Sequence, residues 1–172
     1  MDDFTTLAAE RFSVRKYLNK QLRTEDLERI LKAGQLAPTA KNLQPQKIFV
    51  IQSEEGLATI DSLTRCRFGA PTVLLICYDT EREWHNPLEE GVTFGEIDAS
   101  IVTTHMMLEA ADIGVASCWI GYFPPSRTAE AFHLPENLKP VALLDLGYPT
   151  PDAEPTERHT QYRDEEDIIA FL

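Results

Sequence analysis

The sequence is poor in the residues and segments that mark several common protein classes. Its 172 residues include three cysteines, Cys66, Cys77 and Cys118, an odd number without a CxxC pair. This spacing favours reduced thiols over a disulfide framework or a zinc site, and we expect no bound metal. The most apolar segment, Val73–Cys77, is far too short to span a membrane. We therefore expect a cytoplasmic protein without a membrane anchor.

Basic residues are also scarce. Sixteen Lys and Arg stand against 28 Asp and Glu, which gives a formal net charge of −12 at neutral pH. Nucleic-acid binding depends on Lys and Arg that displace counterions from phosphates, and anionic lipid surfaces attract basic residues in the same way. The charge balance therefore argues against nucleic acid and membrane as partners.

Three familiar motifs of nucleotide binding and catalysis are missing. The sequence has neither GxGxxG nor GxxxxGK[ST], so it shows no Rossmann fingerprint and no P-loop, and it lacks the GxSxG of hydrolases. Its four histidines are too scattered to indicate a metal cluster. No repeat, low-complexity tract or flexible linker interrupts the chain, which predicts a single domain over residues 1–172.

Apolar periodicity predicts a series of helices and strands. One helix begins at Thr24 and ends before Pro38, and a longer one, from Glu96 to Asp112, is apolar around most of its circumference. Such a helix is buried on more than one side, either centrally or at a dimer interface. Because the elements do not follow a strict βαβ order, they predict an α+β fold. The other predicted elements are strands at Lys47–Ile51, Thr72–Tyr78, Val115–Ile120 and Val141–Leu146, and short helices from Ser53 and from Pro124 to Phe132.

The few basic residues concentrate near the start of the chain. Five of the sixteen lie between Arg11 and Arg23, a stretch without an acidic residue. In an extended segment alternate side chains share one side, so Arg11, Ser13 and Arg15 would converge. Two guanidinium groups and a hydroxyl are suited to bind an anion of phosphate size. The alternative is a solvated basic patch that pairs with the acidic surface elsewhere.

Two further segments carry candidate ligand contacts. The loop Ala37–Gln46 contains two prolines, and the amides of Asn42 and Gln44 could pair with the edge of a heterocycle, although such residues also simply build turns. A predicted strand ends in Trp119, Ile120 and Gly121. Trp119 fits a core position, and Gly121 would allow a planar ligand to approach the backbone.

Together these motifs resemble the nitroreductase family, and their order and spacing match over nearly the whole chain. The resemblance implies an α+β three-layer sandwich, with a central mixed, mostly antiparallel sheet flanked by helices. It also implies an intertwined homodimer with FMN at the subunit interface and a carboxy-terminal arm, about 149–172, that reaches the partner subunit. The motifs are the Arg11–Arg15 segment, the Ala-Pro-Thr-Ala-Lys-Asn-Leu-Gln-Pro loop from Ala37, the long helix that closes on Gly114, the Cys-Trp-Ile-Gly sequence from Cys118 and the closing Asp145–Pro149.

The resemblance implies roles for particular residues. The Arg11–Arg15 segment would bind the phosphate and ribityl chain of FMN. Arg163 of the carboxy-terminal arm would also contact the phosphate, and Arg158 is the alternative for this role. The loop would reach the flavin from the other subunit, and the strand end would line the flavin's face and central-ring nitrogen. The expected cofactor-binding residues are Arg11, Phe12, Ser13, Arg15, Pro38, Thr39, Ala40, Asn42, Gln44, Trp119, Ile120, Gly121 and Arg163.

The implied activity is that of an FMN-dependent oxidoreductase. Hydride would pass from NADH or NADPH to the flavin and on to a nitroaromatic, quinone or similar acceptor in a ping-pong cycle. We expect Arg15, ahead of Lys41, Arg65 and Arg67, to be the cation beside the flavin's pyrimidine end, and no side chain is required as general acid. The alternatives are an FMN storage or sensing protein with little turnover, a same-fold enzyme for dehalogenation or enoate reduction, and an acidic interaction domain.

The chain departs from the family pattern in three places. Gln46 stands where the family usually has tryptophan, and residues 165–167 make the final segment unusually acidic. No extra lid segment is evident between Asp79 and Gly95, which predicts an open active site.

Overall fold

A four-stranded sheet forms the centre of the structure. The computed structural model describes residues 3–172, and Met1 and Asp2 lie outside the described residues. The strands run in the order β1-β2-β4-β3, and every neighbouring pair is antiparallel. The helices are α1 (Phe4–Glu10), α2 (Thr24–Leu36), α3 (Glu54–Leu63), α4 (Gly95–Asp112), α5 (Pro125–Ala131) and α6 (Glu165–Ile168), and the strands are β1 (Gln46–Ile51), β2 (Thr72–Asp79), β3 (Ala116–Ile120) and β4 (Leu138–Gly147).

The two faces of the sheet bury separate cores. On one face, Leu74 and Leu144 pack against Met106 of α4, with α2 alongside. On the other face, Val73 of β2 packs in the core that contains Ile60 of α3, and α5 contacts β4. Because helices cover both faces, β2 is apolar and buried on both sides rather than alternating. The predicted three-layer α+β sandwich is confirmed.

The segment after α1 adds a short parallel pairing to the free edge of β3. The Val14 N–H donates to the Ser117 carbonyl at 2.9 Å, and Ser13 and Ser117 form a parallel bridge. A local hydrogen bond also orders this segment, since the Tyr17 hydroxyl donates to the Val14 carbonyl at 2.9 Å. The sheet is therefore mixed but mostly antiparallel, as the resemblance implies.

The predicted elements are found, with additions at three places. Two short helices, α1 and α6, were not predicted, because they carry no buried residue and show no apolar periodicity. Strand β4 begins at Leu138, before the predicted Val141, although Pro140 lies within it. The register shifts there, because Ile76 pairs with Ala142 and Cys77 pairs with Pro140. The resulting bulge accommodates a proline that a regular ladder would exclude.

A buried carboxylate ties α2 to the end of β4. Asp26 is 3% exposed and accepts hydrogen bonds from the Arg23 guanidinium at 2.9 and 2.7 Å and from the Tyr148 hydroxyl at 2.6 Å. The bonds from Arg23 and then Tyr148 lower the pKa of Asp26. Asp26 therefore stabilises the fold above its unfolded pKa, and this stability is lost as pH falls through the folded pKa.

Helix α4 is not fully covered within the chain. Its Met106 side is fully buried, but Ile97 is 48% exposed. Leu108, together with Phe4 and Leu7 of α1, lines an open, mostly apolar groove. The burial on more than one side that its sequence predicts is thus incomplete in a single chain. Within residues 3–172, no helix combines the length and apolar content needed to cross a membrane.

Candidate functional site

Basic side chains line a small cavity between the amino-terminal segment and the arm. Arg11, Ser13 and Arg15 border it on one side, and Thr156 and Arg158 border it on the other. Its volume is about 230 Å³, and Phe12 and His159 complete the lining. Across residues 3–172, none of the three arginines forms an ion pair with a carboxylate.

The charge at this cavity is unusual for so acidic a chain. Six of the sixteen Lys and Arg side chains form ion pairs within residues 3–172, and the three guanidinium groups that share the cavity are among the ten that do not. Like charges held together repel each other, and a bound anion relieves that repulsion. Guanidinium donors with the hydroxyls of Ser13 and Thr156 are the donor set that fits a phosphate group. The cavity therefore fits the phosphate of FMN.

The carboxyl end of β3 lies beside the basic segment. Because the Ser13 segment runs parallel to β3, Arg15 and Gly121 follow the same end of the pairing. The Arg15 guanidinium lies 5.9 Å from the centre of the Phe68 ring. Thr64 donates its hydroxyl to the Tyr122 carbonyl at 2.6 Å, which holds the loop around Phe68 to the residues after β3. A Cβ added at Gly121 would meet no heavy atom within 4 Å, so the backbone there faces open space.

The loop between α2 and β1 is ordered by local hydrogen bonds and by one bond to α4. The Gln44 N–H donates to the Thr39 hydroxyl at 3.0 Å, and the Asn42 N–H donates to the Thr39 carbonyl at 2.9 Å. The Ala40 N–H donates to Oδ1 of Asp98 at 3.0 Å. None of the predicted loop residues, Pro38 to Gln44, lines the basic cavity of its own chain.

The two arginines of the arm that could contact the phosphate lie in different surroundings. Arg158 borders the basic cavity, whereas Arg163 is exposed and lies 3.8 Å from the Asp167 carboxylate. Of the four candidate cations for the flavin ring, Arg67 binds the Asp61 carboxylate and the Ala70 carbonyl, whereas Arg15, Lys41 and Arg65 form no ion pair within residues 3–172. Arg15 has no such carboxylate partner within residues 3–172, and its guanidinium donates to the Ser13 carbonyl at 3.2 Å.

Two buried titratable groups lie behind the site on neighbouring strands. Cys118 of β3 pairs in register with Asp145 of β4. Burial raises the pKa of the Cys118 thiol, which keeps it protonated at neutral pH and unsuited to nucleophilic attack. Burial also raises the pKa of Asp145 to about 8, against an opposing effect of Arg67. Neither carboxyl oxygen of Asp145 has a hydrogen-bond partner among the described residues.

Sequence reasoning did not identify Thr156, His159, Phe68 or Asp98 as part of this region. Thr156 and His159 lie in an arm without periodicity, and Phe68 lies in a loop without a motif. Asp98 could not be distinguished in the sequence, because acidic residues are common in the first turn of a helix. The sequence did indicate one contribution from the arm, because Arg158 was named as the alternative to Arg163 for the phosphate contact.

Comparison with known proteins identifies the class to which this fold and site belong. Residues 8–68 and 67–148 match the model of the nitroreductase family, so the chain belongs to that family. The resemblance found in the sequence is confirmed.

Three similar proteins illustrate the relationship. A nitroreductase family protein from Clostridium difficile 630 is 37% identical, and its crystal structure superposes with a TM-score of 0.91 over 99% of this chain and 98% of that one. A candidate NADH dehydrogenase/NAD(P)H nitroreductase of Archaeoglobus fulgidus is 30% identical and covers 87% of both chains. A candidate nitroreductase from Exiguobacterium sibiricum 255-15, solved in complex with FMN, is 24% identical and shares the fold with a TM-score of 0.82 over 100% of this chain and 98% of that one.

Proposed function

We propose that this chain is an FMN-dependent oxidoreductase that takes hydride equivalents from NADH or NADPH and delivers them to a small acceptor such as a nitroaromatic or a quinone. The observation that carries the proposal is the set of three unpaired guanidinium groups at the basic cavity of a chain with net charge −12. Family membership, the NAD(P)H nitroreductase name of the archaeal relative and the FMN complex of one neighbour support it.

The residues of the cavity would hold FMN by its phosphate. Arg11, Arg15 and Arg158 would supply charge-assisted hydrogen bonds, and Ser13 and Thr156 would supply hydroxyl donors. The flavin ring would then extend toward the open backbone at the carboxyl end of β3, where Trp119, Ile120 and Gly121 lie. Bound FMN supplies the hydride-transfer chemistry, and the protein supplies orientation and charge.

The same proposal includes a homodimer whose arms cross between subunits. The arm from residue 149 begins on its own chain, where the Lys16 amine binds the Asp152 carboxylate at 2.7 Å. Residues 161–172 are then exposed throughout, including Tyr162 at 79% and Phe171 at 96%. Exposed apolar side chains of this size, together with the open groove beside α4, are typical of surfaces that a second copy covers.

Truncation of the arm tests this assembly. Removing residues 161–172 should shift the protein from dimer toward monomer in light scattering, because it deletes the exposed apolar part of the arm while leaving Arg158 in place. The helical signal in circular dichroism should fall only by the four residues of α6, since the deleted residues make no contribution to either core. A full-length protein that is monomeric and still binds FMN would contradict the shared-site arrangement.

The proposed reaction is tested by the visible absorption spectrum of the purified protein, recorded before and after anaerobic addition of NADH or NADPH. Flavin bands that bleach on addition of either nucleotide support the oxidoreductase. Bands that do not bleach would favour an FMN storage or sensing protein, which steady-state oxidation of NAD(P)H with a nitroaromatic would also distinguish. A protein that stays colourless with added FMN would contradict the proposal.

A single methyl group at Gly121 tests where the flavin lies. Gly121→Ala should leave stability nearly unchanged, because its Cβ would enter open space and its φ is not in the left-handed region. FMN affinity should fall by about tenfold, since a methyl group would separate the ring from the backbone. Titration of the apo-protein with FMN measures this effect, and thermal unfolding of the apo-protein provides the control. Unchanged affinity would place the ring elsewhere.

A further inference from the structure

A distant residue anchors the loop between α2 and β1. The turn Ala40–Asn42 begins with the Ala40 N–H, which donates to Oδ1 of Asp98 at 3.0 Å. Asp98 lies in the first turn of α4 and is 2% exposed. The two residues are 58 positions apart, whereas the bond from the Gln44 N–H to Thr39 is local. Asp98 therefore sets the position of the loop relative to α4 and the sheet.

The backbone of this loop needs such an anchor. Lys41, Asn42 and Gln44 have φ values of 50°, 56° and 51°. In this left-handed region the Cβ of a non-glycine residue crowds the backbone, so each conformation is disfavoured on its own, with the smallest penalty at Asn42. Three of them within four residues persist only where the surrounding structure fixes them, and such clusters occur at ligand-binding sites.

The environment of Asp98 also favours a role beyond stability. Its Oδ2 is buried and has no hydrogen-bond partner among residues 3–172. A buried carboxylate with a single hydrogen bond is a poor way to stabilise a fold, because it loses more hydration than it regains. Residues that break this rule are expected mainly at functional sites.

We infer that Asp98 is a positioning residue for FMN binding. Through the Ala40 N–H it holds the loop in the conformation in which residues 39–44 meet the flavin bound by the other subunit. Asp98 acts only through the loop and does not itself contact the cofactor. This inference rests on the proposed function, since it assumes that the loop and FMN meet.

Four variants separate positioning from stability. Asp98→Ala removes the acceptor, and Asp98→Asn keeps an oxygen that can accept from the Ala40 N–H. Ala40→Pro removes the donor without altering α4, because Thr39 is extended and proline is tolerated at the first position of a helical turn. Thr103→Ala is the matched control: Thr103 is buried in α4 and its hydroxyl donates to the Ala99 carbonyl at 2.7 Å, away from the loop.

FMN affinity and loop accessibility are the two measurements. Asp98→Ala should raise the FMN dissociation constant about tenfold, Asp98→Asn should restore it, and Thr103→Ala should leave it unchanged despite lower thermal stability. In the apo-proteins, trypsin should cut after the exposed Lys41 faster in Asp98→Ala and Ala40→Pro than in the wild type, as mass spectrometry of the fragments can show. Should Asp98→Ala fail to fold, Asp98→Asn and Ala40→Pro still provide the comparison.

The outcomes distinguish this inference from the proposed function. Wild-type affinity in Asp98→Ala, or an equal loss of affinity in Thr103→Ala, would overturn the positioning role. Faster cleavage combined with unchanged FMN affinity would keep the anchor but also overturn that role. A wild-type protein that binds no FMN would refute the proposed function and, with it, the positioning role, while the trypsin measurement would still report whether Asp98 anchors the loop.

Discussion

Replacing both Arg11 and Arg15 with alanine should yield a folded protein that no longer retains FMN. Each guanidinium contact with a phosphate contributes about 1.5–3 kcal/mol, so losing two should weaken binding by roughly two to four orders of magnitude. Folding should survive, because Arg11 is half-buried, Arg15 is exposed, and neither forms an ion pair within residues 3–172. Isothermal titration of the apo-protein with FMN measures the loss.

Arg127→Ala is the control for this double variant. Arg127 is an exposed arginine on α5 that does not border the basic cavity. Its removal changes the net charge in the same direction, so any general electrostatic effect on an anionic ligand would appear there as well. Undiminished FMN retention in the double variant would refute the phosphate assignment. A single Arg158→Ala variant, compared with Arg163→Ala, should show the loss only for Arg158.

Asp145→Asn should make the protein markedly more stable at alkaline pH. Burial raises the pKa of Asp145 to about 8, so the folded protein holds a proton there that the unfolded chain releases near its ordinary value of about 4. Stability therefore falls as pH rises between these two values. The wild type should lose up to roughly 4 kcal/mol between about pH 5 and pH 8 at this residue, and the amide, which does not ionise, should not. Urea unfolding at several pH values measures the difference.

Asp26→Asn provides a comparison in which the effect on stability has the opposite sign. Arg23 and Tyr148 lower the pKa of Asp26, so its carboxylate stabilises the fold at neutral pH. The variant should be less stable than the wild type at neutral pH, and the two should converge as acid protonates Asp26. If Asp145→Asn instead destabilises the protein increasingly as pH rises, the carboxyl of Asp145 is ionised and paired with Arg67, and our view of its environment is wrong.

The elements that periodicity could predict are those whose burial leaves a mark on the sequence. Helix α2 has one apolar face and β2 is buried on both sides, so the pattern of apolar residues predicts where each element lies in the sequence. The start of β4 could not be predicted, because Pro140 argues against a strand and the bulge that admits it depends on the partner strand. Helix α1 has no buried residue and hence no pattern to read.

The candidate site likewise contains residues that a local sequence pattern could predict and residues that it could not. Arg11 and Arg15 stood out because local charge opposed the net charge of the chain, a signal that needs no tertiary structure. The choice between Arg158 and Arg163 depends on how the arm folds back, which no local pattern records. Asp98 is the clearest case, since its hydrogen bond joins residues 58 positions apart and its isolation from other donors is visible only in three dimensions.

The parallel pairing of the Ser13 segment with β3 has a consequence for aggregation. A sheet in the order β1-β2-β4-β3 has edge strands at β1 and β3, and an uncovered edge is a template for pairing with other chains. The segment that carries Arg11 and Arg15 covers β3 through Ser13 and Val14, so one segment both carries the proposed ligand contacts and closes the sheet. Disruption of this segment should therefore promote self-association through β3 rather than through β1, whose edge carries the exposed Lys47 as a deterrent.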